Sequence, residues 1–339
     1  MQQDVVTVGL DLAKNVFQVH AVDAAGVVLV RRQLRRAEVM KFFSGLPHCL
    51  VGMEACASAH YWARELVALG HEVRLMPPAY VKPYVKRGKT DAADAEAICE
   101  AVTRPTMRFV AVKTPEQQAV LMLHKTRDLL VRQRTALINA LRGHLSEYGI
   151  IGGKGSGGVT ALMKMLHEAQ DGLPSHARSA LHTIGSHLRT LAMEIERLET
   201  KIVAWHRADE TSRRLATIPG IGPITASAIA AAVPDATIFR SGRQFAAWLG
   251  LTPRPHSSGG KERLGGISKQ GDGYLRRLLV VGATAVIRLA RKNAGQWSWI
   301  AQLLTRKPTK TAIVALANKT ARIAWAVMSR KEVYAAKAA

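Results

Sequence analysis

A carboxylate set inside an apolar strand is the feature that most constrains this chain. Residues 6–19 read VTVGLDLAKNVFQV, a run of small and β-branched residues interrupted by Asp11. Strand interiors are depleted in Asp, and a buried carboxylate without a partner costs several kcal/mol. Two local readings stay open: Asp11 closes the strand at a turn, or it caps a helix starting at Ala13-Lys14. A third reading sets it against a cation. A hard divalent cation takes oxygen ligands from more than one carboxylate, so further acids should follow.

Three fit. Glu54 directly follows the apolar strand LVGM, at the end where ligands gather in open α/β sheets. Thr90 is a good N-cap, and Asp91 and Asp94 then fall in the first turns of a helix, three apart and on one face. An exposed acid for Glu54, or complementation of the helix dipole by Asp91, would explain each one singly. Together, Asp11, Glu54, Asp91 and Asp94 form a set suited to two divalent ions and to attack on a phosphodiester.

Charge points the same way. Lys and Arg number 48 against 25 Asp and Glu, a net charge of +23. The excess is +3 over residues 1–110, +3 over 111–210 and +17 over 211–339. That balance calls for a polyanionic partner gripped mainly by the last third. No apolar run reaches the ~18–20 residues a bilayer span needs, and the start MQQDVV does not read as a signal peptide. Nucleic acid is therefore preferred over a membrane surface. Cys49, Cys56 and Cys99 show no CxxC pairing and read as small core residues in a reducing compartment.

Along the chain, strands are expected at residues 5–12, 16–22, 27–32, 49–53 and 72–76, with helices at 37–44 and 58–69. This alternation means α/β with a partly parallel sheet, assigned to residues 1–110. The basic loop Lys86, Arg87, Lys89 before Thr90 is a candidate nucleic-acid contact. Residues 111–210 carry two long helical stripes around the glycine-rich run GIIGGKGSGG, which reads as an antiparallel coiled-coil arm.

Residues 211–339 are mostly helical. There IPGIG joins two short helices as a helix-hairpin-helix, whose Gly220 and Gly222 would let backbone amides meet a phosphate. A glycine- and proline-broken loop follows, rich in hydroxyls and cations: Arg254, Ser257, Ser258, Lys261, Arg263 and Lys269, with Arg276 and Arg277 on the next helix. With no His-Asp pair or GxSxG elbow, its chemistry alone favours phosphate binding over nucleophilic attack. Trp297, Trp299 and Trp325 read as core or interface anchors.

The motifs GLDLAKNVFQVH, GMEA, GKTDAADA, IPGIG, RQFAAWLGLTPRPHSSGG and ISKQG…LRRLL, in this order, resemble the DEDD transposases of the IS110 family, nearest its IS1111 subgroup. The resemblance runs from Asp4 to about Trp325. It implies a RuvC-like N-terminal domain of ribonuclease-H fold, a coiled coil, and a C-terminal transposase domain. It makes Asp11, Glu54, Asp91 and Asp94 the Mg²⁺-binding acids and Ser258 the nucleophile, with Ser257 the adjacent alternative. It implies a bacterial, nucleoid-associated cytoplasmic recombinase, guided by a structured RNA, that cuts DNA through a phosphoserine. Homodimers assembling into a tetramer would pair acids and serine between protomers. The run Ala55-Cys56-Ala57-Ser58 departs from the small-hydroxyl-glycine pattern common after the glutamate. A hydrolytic junction endonuclease without a serine nucleophile, or a non-catalytic nucleic-acid-binding protein, are the competing readings.

Overall fold

The computed structural model describes residues 4–86, 88, 90–153, 155, 160–165, 172–257, 259, 261, 263–292 and 298–335. It divides into two compact units, Met1–Gln117 and Gln118–Ala339.

The first unit is built on five strands: β1 (Thr7–Asp11), β2 (Val16–Val22), β3 (Val28–Arg35), β4 (Leu50–Glu54) and β5 (Glu72–Met76). Their order across the sheet is β3-β2-β1-β4-β5. The first three pair antiparallel, and β1, β4 and β5 run parallel. The β2–β3 hairpin is fixed by Asp23, whose carboxylate accepts from the amides of Ala25 (2.9 Å) and Val27 (2.8 Å), while Gly26 takes φ +83°. The parallel half needs crossovers, supplied by α1 (Val39–Ser44) and α2 (Ala59–Ala68). This mixed sheet is the ribonuclease-H-like arrangement that the resemblance implies.

Strand alternation sorts β1 and β4 by face. Val8, Leu10, Val51 and Met53 enter one core with Phe17, Phe43, Trp62 and Leu66. The opposite face carries Thr7, Gly9 and Asp11 on β1, and Gly52 and Glu54 on β4. After the short α3 (Pro78–Val81), α4 (Asp91–Val102) packs across β1, β2 and β4 on that face. Cys49 and Cys99 are buried, and desolvation pushes both thiols up to about 11. Cys56 departs from its expected core position. It is exposed in the turn after β4, where its amide bonds back to the Glu54 carbonyl at 2.9 Å.

The second unit holds most of α5 (Pro115–Ser146) and all of α6 (Ser175–Ala208). At 34 residues, α6 is ~50 Å long. The two helices meet through Leu141, Leu145, Leu181 and Leu188, and through an Arg127–Glu199 ion pair at 2.5 Å. The remaining elements are α7 (Glu210–Leu215), α8 (Pro223–Ala232), α9 (Gly242–Trp248), a two-stranded ribbon of β6 (Pro253–Pro255) and β7 (Leu264–Ile267), α10 (Gly273–Lys292), α11 (Ser298–Arg306) and α12 (Thr309–Arg330). One large apolar core joins α8, α9, α10 and α12. Trp325 is half-buried and donates its indole N–H to the Ala236 carbonyl, whereas Trp299 is 38% exposed beneath the Lys319 ammonium. Trp297 lies outside the described residues.

Inside this unit His124, 1% exposed, bridges two hydroxyls. Its Nδ1 stands 3.0 Å from the Tyr274 hydroxyl and its Nε2 3.1 Å from Ser227 Oγ, which itself donates to the Pro223 carbonyl. Burial, then the nearby Arg127, lowers the imidazole pKa to about 4. The unfolded chain, with His near 6.5, therefore binds the extra proton first. The stability contributed by neutral His124 is complete above pH 6.5 and is lost as pH falls from 6.5 to 4, by roughly 3 kcal/mol in all. Urea unfolding at pH 7.5 and 4.5 should show this loss, and His124→Asn should shrink the difference between the two pH values.

Candidate active site

Asp11 is the last residue of β1, so the strand-end reading holds and the N-cap reading does not. Thr90 is the N-cap that the sequence suggests. Its backbone is extended, and its hydroxyl accepts from the Ala93 amide at 3.2 Å. That cap starts α4 with Asp91 and Asp94 in its first turns, lying over the end of β1.

The outcome is a cluster of three aspartates. Asp11, Asp91 and Asp94 each offer one carboxylate oxygen, and these oxygens lie within 4.8 Å of one another. Asp11 and Asp94 are half-buried and Asp91 is exposed. Opposite ligand oxygens stand ~4.2 Å apart on Mg²⁺ and ~4.8 Å apart on Ca²⁺, so three hard oxygens within 4.8 Å of one another lie in the range of a divalent-cation site. Glu54 is not one of that close group. The pairing of Leu10 with Met53 places Glu54 beside Asp11 on the adjacent strand, at the same end and on the same face.

Two glycines that sequence reasoning passed over make this possible. A Cβ on Gly9 would stand 2.1 Å from the Ala95 carbonyl oxygen and 2.5 Å from the Cys99 amide nitrogen, both on α4. A Cβ on Gly52 would stand 2.7 Å from Val102 Cβ. The helix bearing two of the acids therefore rests directly on the backbone of β1 and β4. The signal was present: glycine stands two residues before each strand acid, on the acid's own face.

Lys86, expected to touch nucleic acid, ties the loop before α4 to the helix itself. Its ammonium is 2.6 Å from Glu96, which also pairs with Arg31 at 3.0 Å. The hydrogen bond between Lys86 and Glu96 raises the lysine pKa and lowers the glutamate's. Arg87 and Lys89 lie outside the described residues.

In the second unit the expected hydroxyl-rich loop is the tip of the β6–β7 ribbon. Ser258 lies outside the described residues. Ser257 is exposed, and its hydroxyl accepts from the Arg263 amide at 3.3 Å. Several cations expected to bind nucleic acid are engaged within the protein. Arg276 donates to the carbonyls of Leu249 (2.9 Å) and Gln270 (2.8 Å), clamping together the two chains that lead into and out of the ribbon. Arg254 donates to the Ser268 carbonyl at 2.7 and 3.2 Å across the ribbon. Arg277 pairs with Asp128 on α5 and lies over the Tyr274 ring. Lys261, Arg263 and Lys269 are exposed.

The helix-hairpin-helix forms between α7 and α8, and its two glycines differ. Gly220, at φ +86°, is pressed against Gly282 of α10, so it serves close packing. Gly222 is the N-cap of α8, and a Cβ there would meet open space.

Comparison with known proteins bears on both units. The family described as Transposase IS116/IS110/IS902 family matches residues 212–297, and a second family, described as Transposase and comprising the DEDD proteins of IS110 type, matches residues 8–150. The chain is 55% identical to a probable family 20 transposase of Pseudomonas aeruginosa, over 96% of this chain and 98% of the relative. It is 41% identical to the transposase for insertion sequence element IS1328 of Yersinia enterocolitica, over 98% and 99%. It is 40% identical to the transposase for insertion sequence element IS1111A of Coxiella burnetii, over 98% and 92%.

Proposed function

From a chain that belongs to the IS110 family of DEDD insertion-sequence transposases, we propose an RNA-guided recombinase that cuts and exchanges DNA strands through a phosphoserine on Ser258. The family membership makes it a transposase that binds DNA. The finer reading places it beside the IS1111A relative and gives it a structured guide RNA. It also gives it a homodimer assembling into a tetramer, at work on the bacterial nucleoid. No helix among the described residues is long and apolar enough to cross a membrane.

The observation that carries the reading is the convergence of Asp11, Asp91 and Asp94. These three aspartates would hold one divalent cation, Mg²⁺ on this reading, and Glu54 beside them would serve a second. Such an ion polarises a phosphodiester and steadies the charge that builds on it. The rest is assigned to the protein. The Ser258 Oγ–phosphorus bond forms as the bond from phosphorus to the 3′-oxygen breaks. The serine proton is lost and the departing oxygen takes one up as a 3′-hydroxyl. A 3′-hydroxyl from the partner strand then attacks the phosphoserine, which frees Ser258 and joins the exchanged strands as a Holliday junction. The cations of the ribbon and the amides of the helix-hairpin-helix hold the flanking phosphates.

The test is a trapped adduct. Incubation with Mg²⁺, the element's flanking RNA and labelled DNA, then denaturation, should leave labelled protein whose modified peptide contains Ser258. Ser258→Ala should lower adduct and cleavage by roughly a thousandfold or more, while Ser257→Ala keeps the adduct. Cleavage that persists in Ser258→Ala would replace this reading with water-driven hydrolysis.

A further inference from the structure

The ribbon that carries the serine loop forms one wall of a cleft of about 940 Å³, and the opposite wall is α12. Arg254, His256 and Lys269 line the ribbon side, and Lys310, Thr311 and Asn318 line the helix side. Among the described lining residues there is no acid. The floor is apolar, formed by side chains such as Leu251, Ile267 and Val314. The volume is that of a site for an organic ligand, well beyond a lone ion. Cationic walls with no acid among the described lining residues suit a sugar–phosphate chain, whose phosphates meet the walls.

Two contacts fix the walls of the cleft. Lys269 has φ +55°, a left-handed conformation rare for a side-chain-bearing residue, and its amide is tied to the Gly250 carbonyl at 3.1 Å. Asn318 reaches across from α12 to donate to the Leu251 carbonyl at 3.0 Å. The ribbon root and α12 are thereby fixed to each other. Arg254 turns Nε and Nη2 to the Ser268 carbonyl, so among the described lining residues Lys269 and Lys310 are the ammonium groups that face a ligand.

We propose that this cleft seats the DNA backbone next to the serine loop, with Lys310 of α12 and Lys269 of the ribbon gripping successive phosphates. The inference rests on the reading that the loop acts on DNA. It adds α12 as the second half of the grip, with Lys310 as a binding residue outside the ribbon.

The test uses the full-length protein and the salt dependence of binding to a short fluorescein-labelled DNA duplex. Each phosphate neutralised contributes ~0.9 to the slope of log K against log salt. Lys310→Ala should lower that slope by about this amount per bound protomer, uniformly across DNA sequences. Lys310→Arg should restore it, and Lys201→Ala, on the face of α6, should leave it unchanged. An unaltered slope in Lys310→Ala overturns the proposal, as does a loss seen only with RNA of the same sequence. The serine reading fails separately. A lowered slope with no serine adduct leaves the cleft standing, whereas a normal adduct with an unaltered slope removes the cleft alone.

Discussion

Asp11→Asn should cut DNA cleavage by roughly a thousandfold or more while changing DNA affinity by only a few-fold. The substitution keeps the shape of the side chain and removes its charge. Asp11 provides one of three carboxylate oxygens that lie within 4.8 Å of one another, so a neutral amide there leaves the site a negative charge short. A second measurement isolates the ion from the chemistry. Any ligand that binds only the folded state raises the melting temperature, by an amount that grows with the logarithm of its concentration above Kd. Millimolar Mg²⁺ or Mn²⁺ should raise the melting temperature of the parent protein, and Asp11→Asn and Asp94→Asn should lose that rise. Glu54→Gln should behave differently, because Glu54 stands on the neighbouring strand outside the close group. It should lose cleavage and keep much of the cation-dependent rise, as a ligand to a second ion would. Cleavage by Asp11→Asn within tenfold of the parent would remove the aspartate cluster from the reaction.

The chain announced its sheet and its acids clearly, for physical reasons. Strands β1 to β5 alternate, and the strand acid Asp11 was conspicuous because an apolar run excludes such a residue unless it has a use. Thr90 signalled the start of α4 because a hydroxyl before two acids matches the free amides of a first helical turn. Other features depend on distance, which spacing does not encode. Arg276 sits in a basic stretch and reads as a phosphate contact, yet its Nη1 is turned inward to the carbonyls of Leu249 and Gln270. Lys86 reads the same way and is paired with Glu96. A cation's sequence neighbours do not reveal whether a carbonyl or a carboxylate waits across a turn. Lys310 shows the converse: it lies about 40 residues beyond the loop, and only the packing of α12 brings it to the ribbon. Gly220 reads as a phosphate contact, and packing alone also demands a glycine there, because a Cβ would press on Gly282 and Val286 of α10.

The second large effect should come from Gly9→Ala, a change of one methyl group that touches no carboxylate. The new Cβ would meet the Ala95 carbonyl oxygen at 2.1 Å and the Cys99 amide nitrogen at 2.5 Å. Both obstacles are backbone atoms inside α4, so no rotamer change relieves them. Either β1 or α4 must shift. Overpacking of this kind costs about 1–3 kcal/mol, and an obstacle made of helix backbone puts this site at the upper end. A fall in melting temperature of roughly 10 °C is expected. Activity should fall further than stability, because α4 carries Asp91 and Asp94 while β1 carries Asp11. A displacement on the order of 1 Å is enough to cost about a hundredfold in a positioned site. Gly52→Ala provides the contrast. Its new Cβ would press on the side chain of Val102, so the added variant Val102→Gly should recover part of the loss. For Gly9→Ala, the companion Cys99→Ala should recover nothing, since the nearest contacts remain. Measured at a temperature where both single variants are fully folded, cleavage by Gly9→Ala at the parent's rate would show that α4 does not need its close seat on β1 to bring the aspartates together.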